Sequence, residues 1–104
     1  MTPAEIGSCG ERHVTTALTN EGWKCYQNTQ QQSSTDITAT SNNQGILVQV
    51  KTGLSPNPAP DLSAEEKRAI VGRASQLNYV AYLAQLQIKT DRSLVGSIQW
   101  TKLT

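Results

Sequence analysis

Gly45-Ile46-Leu47-Val48-Gln49-Val50-Lys51-Thr52 is a nearly continuous β-favouring apolar run, broken only by Gln49 and Lys51. In a strand, side chains alternate faces, so Gln49 and Lys51 share one face while Val48 and Val50 take the other. A lysine in a buried strand is costly unless its ammonium reaches a partner or water. The sequence offers Asp36, in the alternating stretch Thr35-Asp36-Ile37-Thr38-Ala39. If the two stretches pair as a hairpin, a carboxylate, an amide oxygen and an ammonium converge on one patch. Such a patch can hold a divalent metal beside a lysine, an arrangement suited to phosphodiester hydrolysis.

Composition narrows the setting. A length of 104 residues gives one domain, spanning 1–104, with a modest core. Hydrophobic residues make up 37% and Phe is absent, so the core is expected to rest on Leu, Ile, Val, Ala and the two tryptophans. A net charge of +1 argues against a uniformly basic coat for nucleic acid and is compatible with a local basic cleft. Cys9 and Cys25 are too few for a disulfide framework and wrongly spaced for zinc, and read as reduced thiols. No stretch is apolar enough to span a membrane, and the first residues lack the form of a signal peptide; a soluble, cytoplasmic protein is expected.

Outward from the central stretch, the chain divides cleanly. Thr2-Pro3-Ala4-Glu5 is a capped helix start, followed by a stripe at Ile6, Cys9, Gly10, Val14, Ala17 and Leu18, with Gly22 as a left-handed cap. Glu11 projects at the edge of that stripe, toward the helix–sheet seam. Trp23 to Gln27 reads as a strand and Gln30 to Ser34 as a polar loop; Ser41 to Gly45 is a turn between the two hairpin strands. Pro56, Pro58 and Pro60 mark a semi-rigid surface crossover. Ser63 to Glu66 is a second capping box, opening a helix through Leu77. Tyr79 to Ile88 reads as a buried strand, and Leu94 to Leu103 as a half-exposed one with Trp100 and Ile98 on one face. The element order is α-β-β-β-α-β plus one strand, which implies an α/β fold with a mixed central sheet flanked by helices.

Several chemistries are missing. There is no Gly-rich phosphate loop, no Cys/His metal set and no serine elbow. The single histidine, His13, lies on the apolar side of the first helix and reads as a satisfied, partly buried group, which disfavours nucleophile triads. Tyr26, Tyr79 and Tyr82 read as packing residues. Lys67, Arg68 and Arg73 form a basic cluster on the second helix, explained either as a solvated face or as phosphate contacts.

What remains is Glu11, Asp36, Gln49 and Lys51. Together with Gly10-Glu11, Gly22-Trp23, Ser34-Thr35-Asp36-Ile37 and Val48-Gln49-Val50-Lys51-Thr52, this resembles the PD-(D/E)xK nuclease superfamily, with its αβββαβ restriction-endonuclease-like core. The likeness is to small members such as Holliday-junction resolvases, homing endonucleases and restriction enzymes with a Gln-x-Lys motif. The second half of the chain agrees only in element order. Gln49 stands where the usual second acidic ligand would be, which removes one negative charge from the metal site.

The resemblance implies a Mg2+- or Mn2+-dependent endonuclease acting on DNA. Asp36 and Gln49 would be ligands, with the Val50 carbonyl completing the shell and Glu11 serving a second metal or its water. Lys51 would orient or deprotonate the attacking water, or stabilise the phosphate. Arg12, Lys67, Arg68 and Arg73 would contact nucleic acid, and two active sites would be paired in a homodimer or higher homo-oligomer. The alternative is a catalytically silent nucleic-acid-binding or assembly protein of the same fold. An RNA-cleaving relative is not separated from a DNA enzyme by sequence.

Overall fold

The quoted stretch forms the middle of strand β3 (Gln44–Leu54), which is buried from Gly45 to Val50. The computed structural model describes residues 1–27 and 36–104, the side chains of Gln27 and Asp36 excepted. The polar loop read at Gln30 to Ser34 therefore lies outside the described residues. Around β3 the chain runs α1 (Pro3–Asn20), β1 (Lys24–Gln27), β2 (Asp36–Ser41), β3, α2 (Ala64–Leu77), β4 (Val80–Ile88) and β5 (Leu94–Lys102). This is the order read from the sequence.

Local chemistry places the helix ends where the sequence puts them. The Thr2 hydroxyl accepts from the Glu5 N–H at 3.1 Å while Glu5 Oε1 accepts from the Thr2 N–H at 2.8 Å. Each thereby satisfies a donor that the first helical turn leaves open. At the other end Gly22, with φ of 98°, closes α1. The Trp23 N–H donates to the Leu18 carbonyl and the Gly22 N–H to that of Thr19, both at 3.0 Å, the paired bonds of a glycine-terminated helix. Helix α2 repeats the N-terminal device with Ser63 and Glu66 and ends at Asn78 in the left-handed region.

The five strands of the described residues form one sheet in sequence order, β1-β2-β3-β4-β5. Only β3 and β4, joined through α2, are parallel; the remaining pairs are antiparallel. Alternation along β3 splits the core in two. Ile46, Val48 and Val50 pack with Cys9, Val14 and Leu18 of α1, whereas Leu47 packs with Ile70 and Ala74 of α2 and Ala81 of β4. The helices therefore cover opposite faces. No described helix is long and apolar enough to cross a membrane.

The tryptophans are less central than composition suggests. Trp23 packs half-buried against the larger cluster, but Trp100 on β5 is 42% exposed and meets the Tyr82 ring edge-on, with centroids 6.4 Å apart. The buried core is aliphatic because the sheet is closed over by α1 and α2 on β1 to β4, leaving β5 as an outer strand.

Helix α1 approaches β3 tightly at Gly10, where an added Cβ would fall on the Thr52 hydroxyl and 2.8 Å from Thr52 Cβ. A branched side chain on a central strand cannot step aside, so Gly10→Ala is expected to cost about 1–3 kcal/mol. Urea unfolding measures this, and an unchanged midpoint would show that α1 can lift freely.

Candidate active site

Gln49 and Lys51 leave β3 on the face of Leu47, under α2. In the antiparallel ladder Gln49 stands opposite Asp36, and in the parallel ladder Gln49 and Lys51 stand beside Leu83 and Gln85. The expected hairpin register is thus present in the backbone, while the Asp36 side chain is outside the described residues. Gln49 is the buried polar side chain of the described core, at 4% exposure. A buried amide needs hydrogen-bonding partners, so its place in an apolar strand calls for a local polar environment.

Sequence reasoning pairs Lys51 with Asp36, whose side chain lies outside the described residues; among the described residues Lys51 pairs with Glu66. Lys51 Nζ donates to Glu66 Oε2 at 2.6 Å, with the two side chains 20% and 29% exposed. Glu66 Oε1 meanwhile accepts from the Ser63 N–H at 2.9 Å. Sequence alone marks Glu66 as a helix-capping residue. Its second role follows from topology: between parallel strands the helix runs back along the sheet, which sets its first turn beside the C-terminal half of β3. A carboxylate at the start of α2 was the available signal.

The hydrogen bond from Lys51, followed by that from the Ser63 backbone, holds the Glu66 carboxyl below its ordinary value of 4.5. A folded value below the unfolded one contributes stability that is present above the unfolded value and lost as pH falls through the folded one. Glu66→Gln is therefore expected to lower stability near neutrality by up to about 1 kcal/mol, as for a partly exposed pair. The difference from wild type should vanish in acid below the folded value. Denaturant midpoints across pH 2 to 7, about the range where carboxylates titrate, check this; a difference that persists in acid would contradict it.

The sequence matches no protein-family model and no curated protein. Its fold does have a solved counterpart. The structure of Hjc, a Holliday junction resolvase from the archaeal hyperthermophile Archaeoglobus fulgidus, superposes with a TM-score of 0.72 at 21% identity. The match covers 93% of this chain and 72% of that one. The chain has the restriction-endonuclease-like fold. This bears out the α/β core expected from element order and the likeness of fold to the PD-(D/E)xK superfamily.

Within the restriction-endonuclease-like fold, the other residues singled out from sequence divide by sheet face. Glu11 is half-buried on α1, lining an open depression with Arg12, Thr15 and Cys25. Helix α1 covers the face opposite Gln49 and Lys51. Lys67 and Arg68 are exposed in the first turns of α2, next to Glu66, and Arg73 is half-buried further along. His13 Nε2 lies 2.8 Å from the Arg92 carbonyl; a carbonyl only accepts, so that nitrogen carries the proton and the ring serves to tie α1 to the β4–β5 turn. Cys9 and Cys25 are free thiols.

Among the described residues no three His, Cys, Asp or Glu side chains gather to hold a metal. An ion at this site would depend on Asp36 with the Gln49 amide oxygen and the Val50 carbonyl. That set is wholly oxygen, fitting a hard cation such as Mg2+ or Mn2+, but it carries little negative charge.

Proposed function

We propose that the chain is a metal-dependent nuclease that hydrolyses DNA phosphodiester bonds. The observation that carries this reading is a lysine fixed by a carboxylate, two residues from a buried Gln49 that stands in register with Asp36, on a fold shared with a Holliday junction resolvase.

Asp36, Gln49 and the Val50 carbonyl would hold the ion. When bound, the metal supplies charge that polarises the phosphoryl group and eases deprotonation of water. Lys51 presents an ammonium that hydrogen-bonds the attacking water or a non-bridging phosphate oxygen, where negative charge grows in the transition state. The water oxygen bonds to phosphorus as the bond to one sugar oxygen breaks, and that oxygen leaves with a proton. Lys67 and Arg68, exposed just after Glu66 on α2, would meet the phosphate backbone, with Arg12 and Arg73 as further contacts. Cutting both strands would need two such sites, so a homodimer is part of the proposal.

The test is cleavage of a labelled four-way junction, duplex, flap, single strand and RNA with Mg2+, Mn2+ or EDTA. Cutting in either metal and none in EDTA is expected, with Mn2+ favoured because the ligand set is poor in charge. Tight binding of DNA without cutting in any metal would instead support a silent nucleic-acid-binding protein of this fold.

A further inference from the structure

We propose that Glu66 is the positioning residue of Lys51, supplying from α2 the negative charge that Gln49 does not supply from β3. The proposal deepens the nuclease reading and rests on it. A lysine side chain has four rotatable bonds and, on a strand, no neighbour obliged to hold it. Here its ammonium meets a carboxylate whose own freedom has already been removed. Ser63 takes one oxygen of Glu66 through its N–H at 2.9 Å, and the Ser63 hydroxyl accepts from the Glu66 N–H at 3.1 Å. The other oxygen is left aimed at Lys51 Nζ, 2.6 Å away.

The segment that carries Ser63 is itself tied to the sheet. Gln85, the β4 register partner of Lys51, donates from Nε2 to the Pro60 carbonyl at 2.9 Å and to Asp61 Oδ1 at 3.4 Å. Two residue pairs further along, Gln87 donates to the Asn57 carbonyl at 2.7 Å. The crossover is thus pinned to β4, the cap is pinned to the crossover, and the carboxylate is pinned to the cap. Lys51 stands at the end of this series. A helix cap alone requires the Ser63–Glu66 reciprocity; it does not require the second oxygen to reach a lysine on the neighbouring strand.

The experiment compares wild type with Glu66→Gln, Ser63→Ala and the double variant Gln49→Glu/Glu66→Gln, all as full chain. Two quantities are read: the rate at which acetic anhydride acylates Lys51, by mass spectrometry, and the single-turnover cleavage rate beside the DNA dissociation constant. In Glu66→Gln, Lys51 should acylate several-fold faster and cleavage should slow roughly 10-fold to 100-fold, as for a reacting group displaced by about an ångström. DNA affinity should stay within about twofold, because the proposal gives Glu66 a role in holding Lys51 and none in holding DNA. Ser63→Ala should lose thermal stability yet keep Lys51 more protected than Glu66→Gln does. Returning a carboxylate at position 49 should recover part of the cleavage rate.

Unchanged Lys51 reactivity in Glu66→Gln overturns the proposal, as does a cleavage rate equal to wild type or a loss matched in full by Ser63→Ala. Absence of cutting by wild type overturns the nuclease reading instead, and the acylation rates then decide the Glu66–Lys51 brace by themselves.

Discussion

Lys51→Ala is expected to slow metal-dependent DNA cleavage about 10²–10³-fold, the range found when one preorganised donor to a developing charge is removed. The ammonium sits on the interior strand of the sheet, 20% exposed, with its position set by Glu66. Truncation takes away the only cation held at this point of β3 by a described ion pair, and water filling the space has no fixed orientation. Stability should change little. Glu66 keeps its bond from the Ser63 N–H and part of its solvent contact, so a loss of about 1 kcal/mol or less is expected. Lys51→Arg should not restore the rate, since a planar fork cannot reproduce a point donor at the end of the same stem. Single-turnover rates measured beside melting curves separate the two effects. A rate loss that tracks unfolding would remove Lys51 from the chemistry.

The largest effect on stability is expected at Leu47, where alanine should cost about 2–5 kcal/mol. Leu47 is 1% exposed and is the buried apolar side chain that packs β3 against α2. Its buried neighbours there are Ile70, Ala74 and Ala81. Two of the three are alanines, with nothing to extend into a void, so the cavity stays open or α2 shifts. Against a total of about 5–15 kcal/mol for a domain of this kind, the loss is a large share. It should also loosen the helix that carries Glu66, so cleavage should fall further than the folded fraction alone explains. Urea unfolding monitored by circular dichroism measures the cost; a change below about 1 kcal/mol would mean that α2 is not held by this contact.

Much of the fold was legible because its signals are local. The two capping boxes at Thr2 and Ser63, the glycine that ends α1, and the alternation through Ile46 to Val50 each depend on neighbours a few residues away. The hairpin of β2 and β3 was legible too, although the turn read over Ser41 to Gly45 narrows to Asn42-Asn43, with Ser41 paired to Gln44. The pairing of Lys51 with Glu66 was not legible. Asp36 is near in sequence and of opposite charge, whereas Glu66 lies across a crossover and already had a full local explanation as a cap. Only the return of α2 along the parallel pair brings it to β3. The exposure of Trp100 was hidden for a similar reason: alternation assigns it a face, but only the extent of α1 and α2 determines whether that face is covered.

The central claim is that Asp36 and Lys51 serve one hydrolytic site. The most direct measurement is the single-turnover rate of four-way-junction and duplex cleavage as Mn2+ is raised, for wild type and a folded Asp36→Ala variant. The account predicts a metal-dependent rate in wild type that Asp36→Ala loses at every Mn2+ concentration. Cutting by Asp36→Ala with the metal dependence of wild type would place the chemistry elsewhere and contradict it.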